Sequence, residues 1–156
     1  MRQMILTPCE RVIQDPKSGP SLISTFQNMG IVVPVDPELP SNAVIPKEWT
    51  VFAMWLLEAE EQGKSFTLKV AIYWPDGELF TERSVDLIAT HPDWMNFIAT
   101  LNGFPVGQSG KVRISVSAEC EGKVVSGPLD TFIAVTVKHD DTVFATAAQN
   151  PGVITA

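Results

Sequence analysis

The chain has 156 residues, 45% of them apolar and 19% charged, with a formal net charge of −7. That length suits one domain whose core needs neither disulfide nor metal, and the composition is globular rather than disordered. The 11 Lys and Arg residues are scattered without a run, which argues against nucleic acid, since phosphate binding needs a clustered basic surface. No apolar run approaches a membrane span, and Met1 to Pro8 is too short in its apolar part for a signal peptide. Cys9 and Cys120 stand far apart with no CxxC pair, as reduced thiols of a reducing compartment do. The expectation is a cytoplasmic protein with no cofactor, no nucleic-acid partner and no membrane.

Residues 4–15 read as an opening strand that ends at Asp15-Pro16-Lys17-Ser18-Gly19-Pro20, a turn crowded with residues that fix or free the backbone. Ser21 to Phe26 follow as a strand, so the first two form a hairpin. Asn28-Met29-Gly30 is a break, and Ile31 to Val35 either continues as a strand or runs over the surface. Four prolines between 34 and 46 remove ladder donors, which predicts a loop crossing one end of the fold.

Thr50 to Gly77 is the organising stretch, read as a hairpin of two long strands joined by the acidic loop Glu58 to Lys64 and closed by Pro75-Asp76-Gly77. In the second strand Phe66, Leu68, Val70, Ile72 and Trp74 alternate with Ser65, Thr67, Lys69, Ala71 and Tyr73, one buried face and one wetter face. The first strand is apolar on both faces: Trp49, Val51, Ala53, Trp55 and Leu57 on one parity, Phe52, Met54 and Leu56 on the other. Such a strand must be covered on both sides, and an uncovered second face is an association surface. Trp49, Phe52, Met54, Trp55 and Leu56 are therefore the candidate interaction residues, for a protein partner or a second copy of the chain.

Glu78 to Ile88 has the mixed polarity of an edge strand. Residues 91–103 admit two readings. In a short helix Trp94, Phe97, Ile98 and Leu101 form a stripe between an Asp93 cap and a Gly103 stop; in a strand Met95, Phe97, Ala99 and Leu101 face inward. The β-rich surroundings favour the strand. Gly107-Gln108-Ser109-Gly110 reads as a hairpin turn. Val112, Ile114, Val116 and Ala118 alternate with polar neighbours as a second half-buried strand. Glu121-Gly122-Lys123 turns the chain, Val124 and Val125 start the return, and Thr131 to Val137 is the last strand. From His139 the composition becomes that of a loosely held tail. The prediction is an all-β, two-layer antiparallel sandwich of about eight strands, immunoglobulin-like or C2-like, over residues 1–138, with a flexible tail at 139–156.

Cys9-Glu10-Arg11-Val12-Ile13-Gln14-Asp15, then Gly19-Pro20-Ser21-Leu22-Ile23-Ser24-Thr25-Phe26, resembles an uncharacterised family of small bacterial and archaeal proteins. That family reads C-E-x-V-I-x-D, a short Gly-containing turn, then S-L-I-x-x-F. The resemblance continues through Trp49-Thr50-Val51-Phe52-Ala53, Pro75-Asp76-Gly77 and Leu101-Asn102-Gly103-Phe104-Pro105, and the chain departs from it at Cys120 to Leu129 and in its tail. It implies a β-sandwich of unassigned function with a strand at 97–103, and it brings no catalytic or binding residues.

Other chemistries are weaker readings. Glu58, Glu60 and Glu61 lack the Asp/Asn spacing of a calcium loop and read as a solvated loop. His91, Asp93, His139 and Asp141 include both histidines of the chain, but no spacing demands a metal. Cys9 falls on one parity with Arg11 and Ile13, read as inward-facing. As a nucleophile it would need one of those histidines beside it. Neither a nucleophile-elbow serine nor a phosphate-binding glycine loop is present. Trp49, Trp55, Trp74 and Trp94 offer either core packing or a platform for a sugar or other small ligand.

Overall fold

The computed structural model describes residues 1–15, 19–35 and 37–142. The alternating segments become nine strands among those residues: β1 (Arg2–Asp15), β2 (Gly19–Thr25), β3 (Asn28–Val33), β4 (Val44–Leu56), β5 (Ser65–Tyr73), β6 (Leu79–Ile88), β7 (Trp94–Pro105), β8 (Gly110–Cys120) and β9 (Lys123–His139). They pair as a four-stranded sheet in the order β2-β1-β4-β7 and a five-stranded sheet in the order β3-β9-β8-β5-β6. The fold is all-β, a two-layer sandwich. The first turn is described only in part, and the expected tail from residue 143 onward lies outside the described residues.

The core lies between the sheets. Trp49, Val51, Ala53 and Trp55 of β4 and Met95, Phe97 and Leu101 of β7 project from one side. Phe66, Leu68, Val70 and Ile72 of β5 meet them from the other, with Val112, Ile114, Val116 and Ala118 of β8. Full burial of each large apolar side chain contributes about 1.5–3 kcal/mol, so this single parity on each strand dominates the stability. The ambiguous segment at 91–103 is strand β7, registered against β4 from Val44↔Pro105 to Leu56↔Trp94. Its inward residues are those of the strand reading, because pairing along β4 outweighs the short helical stripe.

Several expectations are corrected. The stretch 49–74 is not a hairpin: β4 and β5 belong to different sheets. The loop after Leu56, with a 3-10 turn at Ala59–Glu61, carries the chain over one end of the core. Alternation reports which face of a strand is buried; it does not say whether the next strand pairs alongside or packs opposite. For the same reason Gly107-Gln108-Ser109-Gly110 is not a hairpin turn but the crossing from β7 to β8. There Gly107 passes so close to the 40–43 loop that a Cβ would sit 2.3 Å from the Ser41 carbonyl oxygen. Pro46 lies inside β4, at the register shift between Ile45 and Glu48, where the ladder is already broken. The return at Val124 and the strand at Thr131 are one long strand, β9, which absorbs two register shifts against β8.

The sandwich is not wholly antiparallel. β3 runs parallel to β9, from Asn28↔Ala134 to Val33↔His139. Only Phe26 and Gln27 separate β2 from β3, so the chain steps directly from the edge of one sheet to the edge of the other. The seam is held by the Phe26 N–H on the Pro8 carbonyl at 3.3 Å and the Ala134 N–H on the Gln27 carbonyl at 2.7 Å.

Candidate interaction surface

The two sheets turn different outer faces to their surroundings. On the five-stranded sheet the outward residues pair with one another. Lys69 Nζ lies 2.9 Å from Glu82 Oε2, and Thr67 Oγ1 donates to Asp86 Oδ1 at 2.7 Å. Arg113 lies 3.9 Å over the Tyr73 ring and 3.4 Å from Asp130 Oδ2. These cross-strand pairs engage several of the charges of that face.

The four-stranded sheet differs. Register places Thr50, Phe52, Met54 and Leu56 of β4 outward, with Ile5, Thr7 and Cys9 of β1 on one side and Trp94, Asn96, Ile98 and Thr100 of β7 on the other. Residues 49–56 of β4 carry no charge, and neither does any residue of β7. Phe52, between Thr7 and Ile98, is 1% exposed; Met54 and Ile98 are half-buried; Leu56 is 39% exposed and Ile5 37%. The result is a partly apolar patch whose one flanking charge along β1 is the exposed Arg2 opposite Leu56, on a strongly acidic chain.

The five expected interaction residues do not share one surface. Trp49 and Trp55 face the core and are wholly buried. Trp49 donates its indole N–H to the Gly103 carbonyl at 3.0 Å, and Trp55 donates to Ser126 Oγ at 3.0 Å. Phe52, Met54 and Leu56 face outward, and of these Met54 and Leu56 reach the surface. Ile5 and Ile98, whose strands flank β4 only in the folded sheet, complete the patch. Their signal in the sequence was weak, because each sits in a strand whose partners are remote.

The tryptophans do not form a common platform. Trp74 is buried and packs edge-on against Phe80 with centroids 5.1 Å apart. Trp94 is half-buried, and the His91 ring lies 4.4 Å from its own. An open depression of about 410 Å³ on the five-stranded side is lined by Lys64, Thr67, Asp86, Cys120 and Glu121 among others. Its Asp86 is already engaged by Thr67.

Among the described residues no group of three or more His, Cys, Asp or Glu side chains could hold a metal ion. His91 precedes β7 at one end of the sandwich, whereas His139 ends β9 at the other, where its Nδ1 lies 3.3 Å from the Pro34 carbonyl. Glu58 and Glu61 are used locally. Glu61 accepts the Glu58 N–H at 2.8 Å and lies 2.9 Å from the Met1 ammonium. Burial pushes the Glu61 carboxyl up, but the Glu58 N–H and the ammonium outweigh it and hold it below its ordinary value.

Cys9, Arg11 and Ile13 face outward, not inward: Cys9 registers with Thr50 and with Thr25. Cys9 is nonetheless fully buried, and burial pushes its thiol up, away from the thiolate that nucleophilic chemistry requires. Both cysteines are free. No helix among the described residues is long and apolar enough to cross a membrane. No family model matches this chain, and no curated protein matches it.

Proposed function

We propose that this chain is a non-enzymatic interaction module that associates with a second copy of itself through the outer side of its four-stranded sheet. The observation that supports the reading is the uncharged patch of Ile5, Met54, Leu56 and Ile98 on a chain of net charge −7. Self-contact through most of an acidic surface brings like charges together; through this patch it does not. On the opposite face Lys69 pairs with Glu82 and Arg113 with Asp130, so contact there must meet charged side chains. The reading places the protein in the cytoplasm, where its two free thiols stay reduced, and excludes nucleic acid on the same charge balance.

Size-exclusion chromatography with light scattering over a concentration series tests the reading. The expected result is a mass that rises with concentration in the native chain. Met54→Lys, at a half-buried outward position, should weaken that association by placing an ammonium in the patch. A native chain that stays monomeric throughout removes the proposal.

A further inference from the structure

The sandwich has four sheet edges, and they are not defended alike. β6 closes the five-stranded sheet with Glu82, Arg83 and Asp86 in its ten residues. β2 has seven residues and begins Gly19-Pro20, while β3 has six and is followed by Pro34. Charge, shortness and proline are the devices that stop an edge from accepting another strand. β7 has none of the three over most of its length. It is a twelve-residue edge strand, Trp-Met-Asn-Phe-Ile-Ala-Thr-Leu-Asn-Gly-Phe-Pro, with no charged side chain and a proline only at its last position.

β4 is the only strand partner of β7 among the described residues. Among the described residues none of the loop hydrogen bonds reaches its far side. Alternate N–H and C=O groups of β7 therefore face outward in the extended geometry that a further strand requires. The straight part is bounded by Trp94 and by the bend at Gly103, whose φ is +94°. The middle of that stretch is Ile98.

We propose that two copies of the chain join edge to edge by antiparallel pairing of β7 with itself about a twofold axis at Ile98, fusing the two four-stranded sheets into one. The proposal rests on the self-association reading above but moves the contact from the outer face of the four-stranded sheet to its β7 edge, so that Met54 of β4 lies outside the paired strands. A second copy is the occupant that the strand's own chemistry favours. A strand without charge meets no charge repulsion when it pairs with itself, whereas the β6 edge, with Glu82, Arg83 and Asp86, does. The register sets Ile98 opposite Ile98 and Asn96 opposite Thr100, each on the outer face, so apolar meets apolar and amide meets hydroxyl. A twofold operation normal to the sheet also keeps the inner face continuous with the inner face, so no side chain changes environment from core to solvent.

Two double variants of the full-length chain decide it. Asn96→Lys with Thr100→Lys places an ammonium opposite an ammonium twice per dimer, and the dissociation constant should rise by about tenfold or more. Asn96→Glu with Thr100→Lys places opposite charges in those positions, and the dimer should persist. Both sites are outward on an edge strand, and far-UV circular dichroism checks that each variant keeps its sheets. Ile98→Cys adds an independent readout: under oxidation it should trap a disulfide dimer, since the dyad brings the two copies of that residue together. A dimer that ignores the paired ammonium groups, or that Ile98→Cys does not trap, overturns the edge pairing. If that same dimer dissociates on Met54→Lys, the broader interaction reading stands and only its geometry is wrong. A chain monomeric at every concentration overturns both.

Discussion

The outer faces of the two sheets solve the same problem in opposite ways. Both sheets bury one parity of side chains in a shared core, and both leave the other parity outside. On the five-stranded sheet that outside is a lattice of cross-strand pairs, Lys69 with Glu82, Thr67 with Asp86, Arg113 with Tyr73 and Asp130. On the four-stranded sheet β7 and residues 49–56 of β4 are uncharged. Inner packing holds a sandwich together wherever it occurs, so the difference between the outer faces reports on what each side is exposed to, not on stability.

The comparison can be broken at its base. If the inner faces are equivalent, Trp55→Ala on the four-stranded side should cost about 3–5 kcal/mol and Ile114→Ala on the five-stranded side about 2–5 kcal/mol. Urea unfolding followed by tryptophan fluorescence measures both. A Trp55→Ala loss below about 1 kcal/mol would contradict its burial and its bond to Ser126. The outer faces should then part company. Met54→Lys should weaken self-association while leaving the unfolding midpoint almost unchanged. Arg113→Ala should do the reverse, costing roughly 0.5–1 kcal/mol of stability through the lost Tyr73 stacking with no effect on mass.

The smallest effect is acid-dependent. The Glu78 N–H at 2.9 Å and the Gln108 amide at 2.7 Å hold Asp76 below its ordinary carboxyl value of 3.8. A depressed carboxyl stabilises the fold fully above the pKa of the unfolded chain and loses that contribution as pH falls through the folded value. Native Asp76 should therefore steepen the loss of stability below about pH 4. Asp76→Asn should flatten that slope by losing the contribution at neutral pH, with the two proteins converging in stability at low pH. An unaltered acid limb would show that these bonds do not persist in solution.

How much of this was legible in the residues depended on how local the signal was. The alternation of Phe66 to Ile72 and of Val112 to Ala118 needed no partner to be read, and both strands are where it placed them. The two-sided apolarity of β4 was also legible, and Phe52 is 1% exposed although it faces outward. Which strand lies beside which was legible at the tight first turn, where β1 and β2 pair as a hairpin, but not across the longer connections, because a loop of eight residues serves a crossing as well as a hairpin. The candidate surface suffered for that reason. Trp49 and Trp55 were grouped with Met54 and Leu56 by adjacency in the chain, while Ile5 and Ile98 lay in segments that only the sheet brings alongside. The undefended edge had a clear signal, twelve residues without a charge, but it acquires meaning only once β7 is known to be terminal in its sheet.

The parallel seam between β3 and β9 bears on how the polypeptide reaches this state. β1 and β2 can zip together as soon as both have left the ribosome. β3 must wait, since the backbone N–H of Val35 finds its acceptor on Asp141, 106 residues later. Closing so long a loop is entropically costly and slow. A nascent chain therefore holds an unmatched strand for most of its synthesis, and a chaperone that binds short apolar segments would find Ile31 to Val33 available throughout that interval.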